Sequence, residues 1–473
     1  MTAPYAIPTT IPGPRPMPLL GVYGNLIRLM RDPAAYLRYL HAAYGDIVTL
    51  ASGSAAYVFV FSPEYNQLVL SDTGLFHALD PGSSPLRMPP DSSLRRLFVG
   101  LTHMNGEQHK QQRRLMLPAF HKRRIEAYRD DIVALTERKI AGWMPGQDRD
   151  LLRETRELTL WISTKTMVGL DPDHEGQRLC RLLEQWMKQV FSLPVMLLPF
   201  NLPGLPYRRL LALSEALEGE IRAMIEQKRA SGIDQGDVLS MLLRAQDDDG
   251  STLTDAEVIG QTNTLFVSGH ATTASVLTWT LFLLAQHPVV MADLLDELTD
   301  VLHGAAPTID QLARLTLLED VLKESMRLLP PALWWSRTAA ADCELHGYHI
   351  PQGAHVVYSP YITHRNPELY PQPDRFLPER WRTINPRAYE YIPFSAGPRM
   401  CPGASIAMLQ MKLVLPILLQ RHRLALPPRA IVDRSGPMLS APKHGLPMRI
   451  YPQDRHFNKS KVAGSIHAMV DLS

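Results

Sequence analysis

The stretch from Thr254 to Gln286 sets the first limit on what this chain can fold into. Thr254-Asp-Ala-Glu257 has the spacing of a capping box, in which a hydroxyl and a carboxylate three residues apart satisfy each other's free backbone N–H groups. His287-Pro288 ends what begins there, because proline pushes the residue before it out of helical geometry. About thirty residues at ~1.5 Å each make a helix of roughly 45 Å, long enough to cross a whole domain. Its second half, Ala274 to Ala285, is apolar nearly all round, as in a helix with protein on every side. A membrane span is the rival reading. Gln261, Asn263, Ser268, His270 and the threonines oppose it.

A core that surrounds such a helix needs a large apolar supply. The 473 residues are 45% hydrophobic and 20% charged, which provides one. Length alone suggests about three domains on a ~150-residue prior, but no linker divides the chain. The formal net charge of +2 gives no support for nucleic-acid binding. Forty prolines predict many helix ends and ordered loops. Cys180, Cys343 and Cys401 are the three cysteines, too few for a disulfide framework or a CxxC zinc pattern. They suit a reducing cytoplasm. Met1 to Arg15 lacks the charged start and apolar core of a signal peptide, and no run of ~20 apolar residues follows to act as an anchor.

The chemistry is announced near the C-terminus, in Phe394-Ser-Ala-Gly397-Pro-Arg399-Met-Cys401-Pro-Gly403. A lone cysteine is ordinarily a buried core thiol. This one follows an arginine by two residues and precedes an apolar helical run. Positive charge and helix N-terminal amides lower a thiol's pKa and keep the sulfur anionic. Pro402 suits the first helical position. Gly397 and Gly403 allow positive φ or close approach of the backbone to something bulky.

The full Phe-x-x-Gly-x-Arg-x-Cys-x-Gly spacing resembles the haem-thiolate loop of cytochrome P450 enzymes. The resemblance implies Cys401 as the iron ligand of haem b (iron protoporphyrin IX), with Phe394, Arg399 and Gly403 against the cofactor. Three further stretches match in order and spacing, so the resemblance covers roughly residues 10 to 451. His109 and Arg113 in Gly106-Glu-Gln-His-Lys-Gln-Gln-Arg lie four apart on one helix face. In the family, such a pair meets the haem propionates, to which each can donate a charge-assisted hydrogen bond. Ser268-Gly269-His270-Ala271-Thr272-Thr273 is similar to the oxygen-binding stretch. Gly269 leaves room there, and the Thr272 hydroxyl would hydrogen-bond dioxygen at the iron and help deliver protons. A threonine of this kind back-bonds to a carbonyl and loosens the helix. Two departures stand out. Ala271 replaces the usual acid and Ser268 a small apolar residue, so Ser268 and water are expected to assist Thr272. Glu324-Ser-Met-Arg327-Leu-Leu-Pro-Pro, with Arg380 in Phe-Leu-Pro-Glu-Arg-Trp, matches the structural triad that supports the cysteine loop. A Glu-x-x-Arg pair on a surface would count for only tenths of a kcal/mol.

The rest of the chain fits around these marks. Asn25–Tyr44 reads as the first helix. Ile47–Leu50 and Tyr57–Phe61 read as a hairpin around Ser52-Gly53-Ser54. The stretch 80–93 reads as a loop, which in the family covers the substrate side of the haem. Residues 126–190 read as two or more amphipathic helices. The run 191–207, apolar, uncharged and rich in proline, reads as a buried connector or as an apolar lid that admits a greasy substrate and touches a membrane surface. His121-Lys-Arg-Arg124 reads as a solvated run or a dock for an acidic redox protein. Arg337 falls at a propionate-binding position. Leu333, Trp334, Met438 and Leu439 fall where the family lines its pocket, and adjacent Trp334 and Trp335 should point opposite ways. Leu345–Ile350 and Val356–Tyr358 read as strands, and Met448–Tyr451 as part of the last sheet.

The expected fold is mainly α with a small β-rich part, a single domain around a buried haem over residues 1–455. Residues 456–473 read as a poorly ordered tail. The expected activity is monooxygenation of a lipophilic small molecule, of terpenoid, fatty-acyl or polyketide-like type, by C–H hydroxylation or epoxidation. No flavin or nicotinamide module fits in the chain, so electrons would come from a separate ferredoxin or flavodoxin with its reductase. A soluble, bacterial-type cytoplasmic member without a transmembrane anchor is expected. Direct use of peroxide, or electron-independent chemistry, is the alternative. A non-catalytic haem-thiolate sensor is a third reading, and no signalling module accompanies it.

Overall fold

The computed structural model describes residues 10–79, 86–190, 192–247, 250–436 and 439–473. The central helix runs Asp255–Gln286, 32 residues long, and both halves of the Thr254/Glu257 capping box are made. Thr278, Trp279, Phe282 and Leu283 have no accessible surface. The helix lies along Leu151–Val168 and also touches Pro288–Leu302, Thr316–Leu328 and Ala404–Arg421. Two paired groups tie it to Leu151–Val168. The Thr155 and Thr278 hydroxyls are 2.8 Å apart, and His270 Nδ1 is 3.1 Å from Thr159 Oγ1. Buried polar groups must pair, so these contacts fix the register between the two helices. Among the described residues one helix, Ala404–Arg421, is long and apolar enough to cross a membrane. Its Leu413 to Leu419 segment is buried inside the protein.

A five-stranded sheet flanks the helical body in the order Ile47–Ala51, Ser54–Val60, His355–Tyr358, Trp335–Ala339, Phe76–His77. Only Ser54–Val60 and His355–Tyr358 run parallel. Pro447–Pro452 pairs with His422–Ala425 on one side and Asp148–Asp150 on the other.

Four local expectations need correction. The first helix is two, Gly21–Arg31 and Pro33–Tyr44, because Asp32 caps the second by accepting from Ala35 N and Pro33 occupies a first-turn position. Leu345–Ile350 is not one strand: Cys343–Leu345 turns back into Tyr348–Ile350 through His346 and Gly347, at φ 49° and 88°. In the apolar run, Leu193–Leu197 forms a short helix and Pro206 opens the long helix Pro206–Ser231. Leu197, Leu198, Phe200 and Leu202 are exposed, so this is not a buried connector.

The tail is the fourth correction. Val462–Ala463 pairs with Ala430–Ile431, and Ser465–Ala468 adds a helical turn. Ile466, Met469, Val470 and Leu472 are buried. Arg365 Nη2 donates to both Leu328 O (2.7 Å) and Met469 O (2.8 Å), so the tail is bonded to the end of the Thr316–Leu328 helix through one guanidinium. The polar stretch that precedes these residues hid four apolar side chains at close spacing.

Candidate active site

The cysteine loop is held by its own backbone. Cys401 N donates to Phe394 O at 2.9 Å. Gly397 sits at φ +71°, and a Cβ there would lie 2.5 Å from Leu70 O, so only glycine serves. Gly403 sits at φ −82° and uses no such freedom. Pro402 precedes the N-cap Gly403 instead of opening the helix. Burial pushes the Cys401 thiol up, while the Gly403 amide and Arg113 pull the other way without winning. The expectation of a lowered pKa is therefore corrected: desolvation of the anion outweighs one amide and one cation.

Around this loop the fold gathers cations. His109 is buried on the helix Gly106–Met116, one turn from Arg113. Arg113 Nη2 donates to Met400 O at 2.8 Å. Arg399 Nη2 donates to Met104 O (2.6 Å) and Asn105 Oδ1 (2.7 Å), while its Nε is buried without a partner. Arg337 stands over the Tyr358 ring at 5.7 Å. Burial, then Arg399, Arg113 and Arg337 in turn, hold His109 down at about 4. Burial and the same neighbours, Arg337 and Arg113, lower Arg399 to about 10. Among the described residues no Asp or Glu forms an ion pair with Arg113, Arg337 or Arg399. Three cations and a histidine thus converge without a counter-ion, which favours an anionic ligand.

On the central helix, Ser268 is exposed, and Gly269, Ala271 and Thr272 are half-buried. These positions lie about one turn apart and give the middle of the helix an accessible face, while the turns from Thr273 to Leu284 are buried all round. Thr272 Oγ1 donates to Ser268 O at 2.6 Å. His270 is buried on the other side, against Thr159. No carboxylate stands at 271.

Behind the loop, Glu324 and Arg327 have no accessible surface and join by two 2.9 Å bonds. Arg380 Nε (2.9 Å), Trp381 Nε1 (3.1 Å) and the Leu377 amide (3.0 Å) also donate to Glu324. Arg327 donates onward to the carbonyls of His364, Pro373 and Arg375. The surface-pair valuation does not apply to a triad this deep.

Of the residues expected to meet substrate, Trp334 is half-buried and Trp335 exposed. Leu439 is half-buried and bridged to Ala332. Leu333 has no accessible surface; it packs in the core, and its carbonyl accepts from Ser359 Oγ. Met438 lies outside the described residues. Sequence reasoning missed Asn105, whose side chain serves Arg399 and Ala78 and so leaves its own helix uncapped. The asparagine before Gly106 was the available signal. It also missed the Trp381 bond to Glu324, although Trp381 adjoins Arg380.

The family model described as cytochrome P450 matches residues 11–447. The chain belongs to the cytochrome P450 family. Cyclooctatin synthase of Streptomyces melanosporofaciens is 35% identical over 369 residues, 75% of this chain and 79% of that protein. Cyclooctat-9-en-7-ol 5-monooxygenase of the same organism is 34% identical over 344 residues, 71% and 74% of the two chains. Pentalenene oxygenase of Streptomyces avermitilis is 32% identical over 343 residues, 70% and 75%. Among solved structures, retinoic acid bound cyanobacterial CYP120A1 is 25% identical with a TM-score of 0.80, covering 94% of this chain and all of that one. This P450 is an oxidoreductase of the monooxygenase type, mainly α with a small β part, and haem is its family cofactor. The donor set fits that cofactor: a sulfur on a backbone-fixed loop lies beside an acid-free cation cluster with a buried guanidinium N–H to spare.

Proposed function

We propose that this P450 inserts one oxygen atom from dioxygen into a lipophilic small molecule by C–H hydroxylation or epoxidation, using haem b. The observation that carries the reading is the Cys401 loop joined to the counter-ion-free group His109, Arg113, Arg337 and Arg399. Cys401 would hold the iron, and Arg113, Arg337 and Arg399 with the neutral His109 the two propionates. Bound haem would supply the oxygen-activating chemistry, which the protein itself lacks. Thr272 keeps its hydroxyl anchored to the Ser268 carbonyl, loosening the helix where a small ligand must enter. With alanine at 271, the accessible Ser268 hydroxyl and water take over the acid's share of proton delivery. Trp334 and Leu439 shape the pocket, and the apolar lid around 193–205 admits a greasy substrate. The names of the Streptomyces relatives favour the terpenoid end of this class.

Electrons come from a ferredoxin or flavodoxin with its reductase. What supports a docking place is the exposed run His121 to Arg124, on a short helix packed against Ala404–Arg421, the helix that follows Cys401. Met400, beside the cysteine, is exposed as well. Reversing Lys122 and Arg123 to glutamate should slow reduction by an acidic donor several-fold and flatten its salt dependence.

Reduced protein under carbon monoxide should give the thiolate-type absorption band. Its absence, or its survival in Cys401→Ala, would remove the proposal. Ala271 favours a second reading, direct use of peroxide. Turnover with peroxide alone, compared with turnover on a reductase pair, separates the two. Screening a lipophilic library for a haem absorption shift tests the substrate class, and hits confined to small polar compounds would overturn it.

A further inference from the structure

The helix Gly21–Arg31 wears its apolar face outward. Leu20, Tyr23, Ile27 and Met30 are 50%, 70%, 59% and 44% exposed, at the three- and four-residue spacing of one helix stripe. Leu19, just before it, is fully exposed and held at φ +63°, a conformation a leucine rarely takes. Two hydrogen bonds between Met17 and Gly21 keep it there.

The stripe cannot roll inward. On the opposite face Asn25 has no accessible surface and donates to Leu50 O (2.9 Å) and Arg15 O (3.2 Å). Leu29 is buried, and Gly24 lies so close to Met17 that a Cβ would meet its sulfur at 2.4 Å. Rotating the helix would break buried hydrogen bonds to hide surface leucines, a poor exchange.

Charge says what covers the stripe. Residues 10–31 hold Arg15, Arg28 and Arg31, all exposed, and no acid. An apolar stripe with arginines at its flank and a tyrosine on its face has the composition of a helix that lies in a lipid interface. A second copy of the chain is a worse fit. Its 11 residues of helix span about 16 Å by 10 Å, far short of the ~800 Å² per partner of a stable protein interface. We propose that Gly21–Arg31, with Leu19 and Leu20, is a peripheral docking element for an anionic membrane surface. It lies flat and leaves the rest of the protein outside the bilayer.

The test is co-sedimentation of the haem-loaded full chain with phosphatidylcholine vesicles and with phosphatidylcholine–phosphatidylglycerol vesicles. Binding is expected to the anionic vesicles and to weaken in high salt. Leu20→Ser/Ile27→Ser should reduce it by at least about tenfold, and Arg28→Gln and Arg31→Gln by about fivefold each. Unchanged haem absorption and melting temperature show that the variants are folded. Should the double serine variant unfold, Tyr23→Ser gives the same reading. The proposal is overturned by no binding, by equal binding to both vesicle types, by a serine variant that binds like the parent, or by concentration-dependent self-association that the serine variant abolishes.

Discussion

Glu324 accepts five hydrogen bonds from four residues on its two buried oxygens. Glu324→Gln keeps its shape but leaves Arg327 and Arg380 buried without their anion. Breaking a buried pair in this way costs about 3–5 kcal/mol. The denaturation midpoint should drop accordingly, and purified protein should retain less haem. Thr272→Ala removes a hydroxyl from an accessible helix face without disturbing the core. Electron consumption should continue while product per electron falls. Ala271→Glu restores the acid and should raise product per electron. No change would show that the missing carboxylate is immaterial.

At the scale of elements, a clamp joins Ser93–Leu97 to Pro206–Ser231. Arg96 grips Glu218 with both prongs, at 2.8 and 2.7 Å, and Tyr207 donates to Arg87 O at 2.8 Å. Burial alone would raise the Glu218 carboxyl, but Arg96, Ser93 and Arg222 together bring it to about 2. A depressed carboxylate contributes stability above its unfolded pKa and loses it as pH falls toward the folded value. The clamp should therefore hold at pH 6 and weaken from about pH 5 down to 2, more steeply in the wild type than in Glu218→Gln, as read by acid titration of unfolding. At neutral pH, Arg96→Ala should speed proteolytic cleavage in residues 86–97. Sequence could not show this clamp, because its partners lie 122 residues apart. It did show the central helix, whose start and stop signals are local. Pro33 misled for the same local reason: Asp32-Pro33 both ends one helix and begins another. The cysteine's environment was legible as a pattern of residue types. The direction of its pKa was not, since burial is a property of the fold. Leu333 was assigned to the pocket by position, and only the fold shows how deeply it is buried.

The whole molecule includes its C-terminal segment. Ile466 has no accessible surface, and Ile466→Ala should cost about 2–5 kcal/mol, seen as a lower thermal midpoint. Removing 456–473 should cost more and should loosen the end of the Thr316–Leu328 helix, because Arg365 loses its bond to Met469. Hydrogen exchange at Leu328 and Leu329 would report the change.

Arg327 reads the positions of three separate carbonyls at once. Anyone recruiting this scaffold for a new reaction inherits that constraint. Segments transplanted from a relative into the region 360–403 must arrive with all three oxygens in place. Diversity libraries belong at 197–202, where Leu197, Leu198, Phe200 and Leu202 already face water and no guanidinium keeps count.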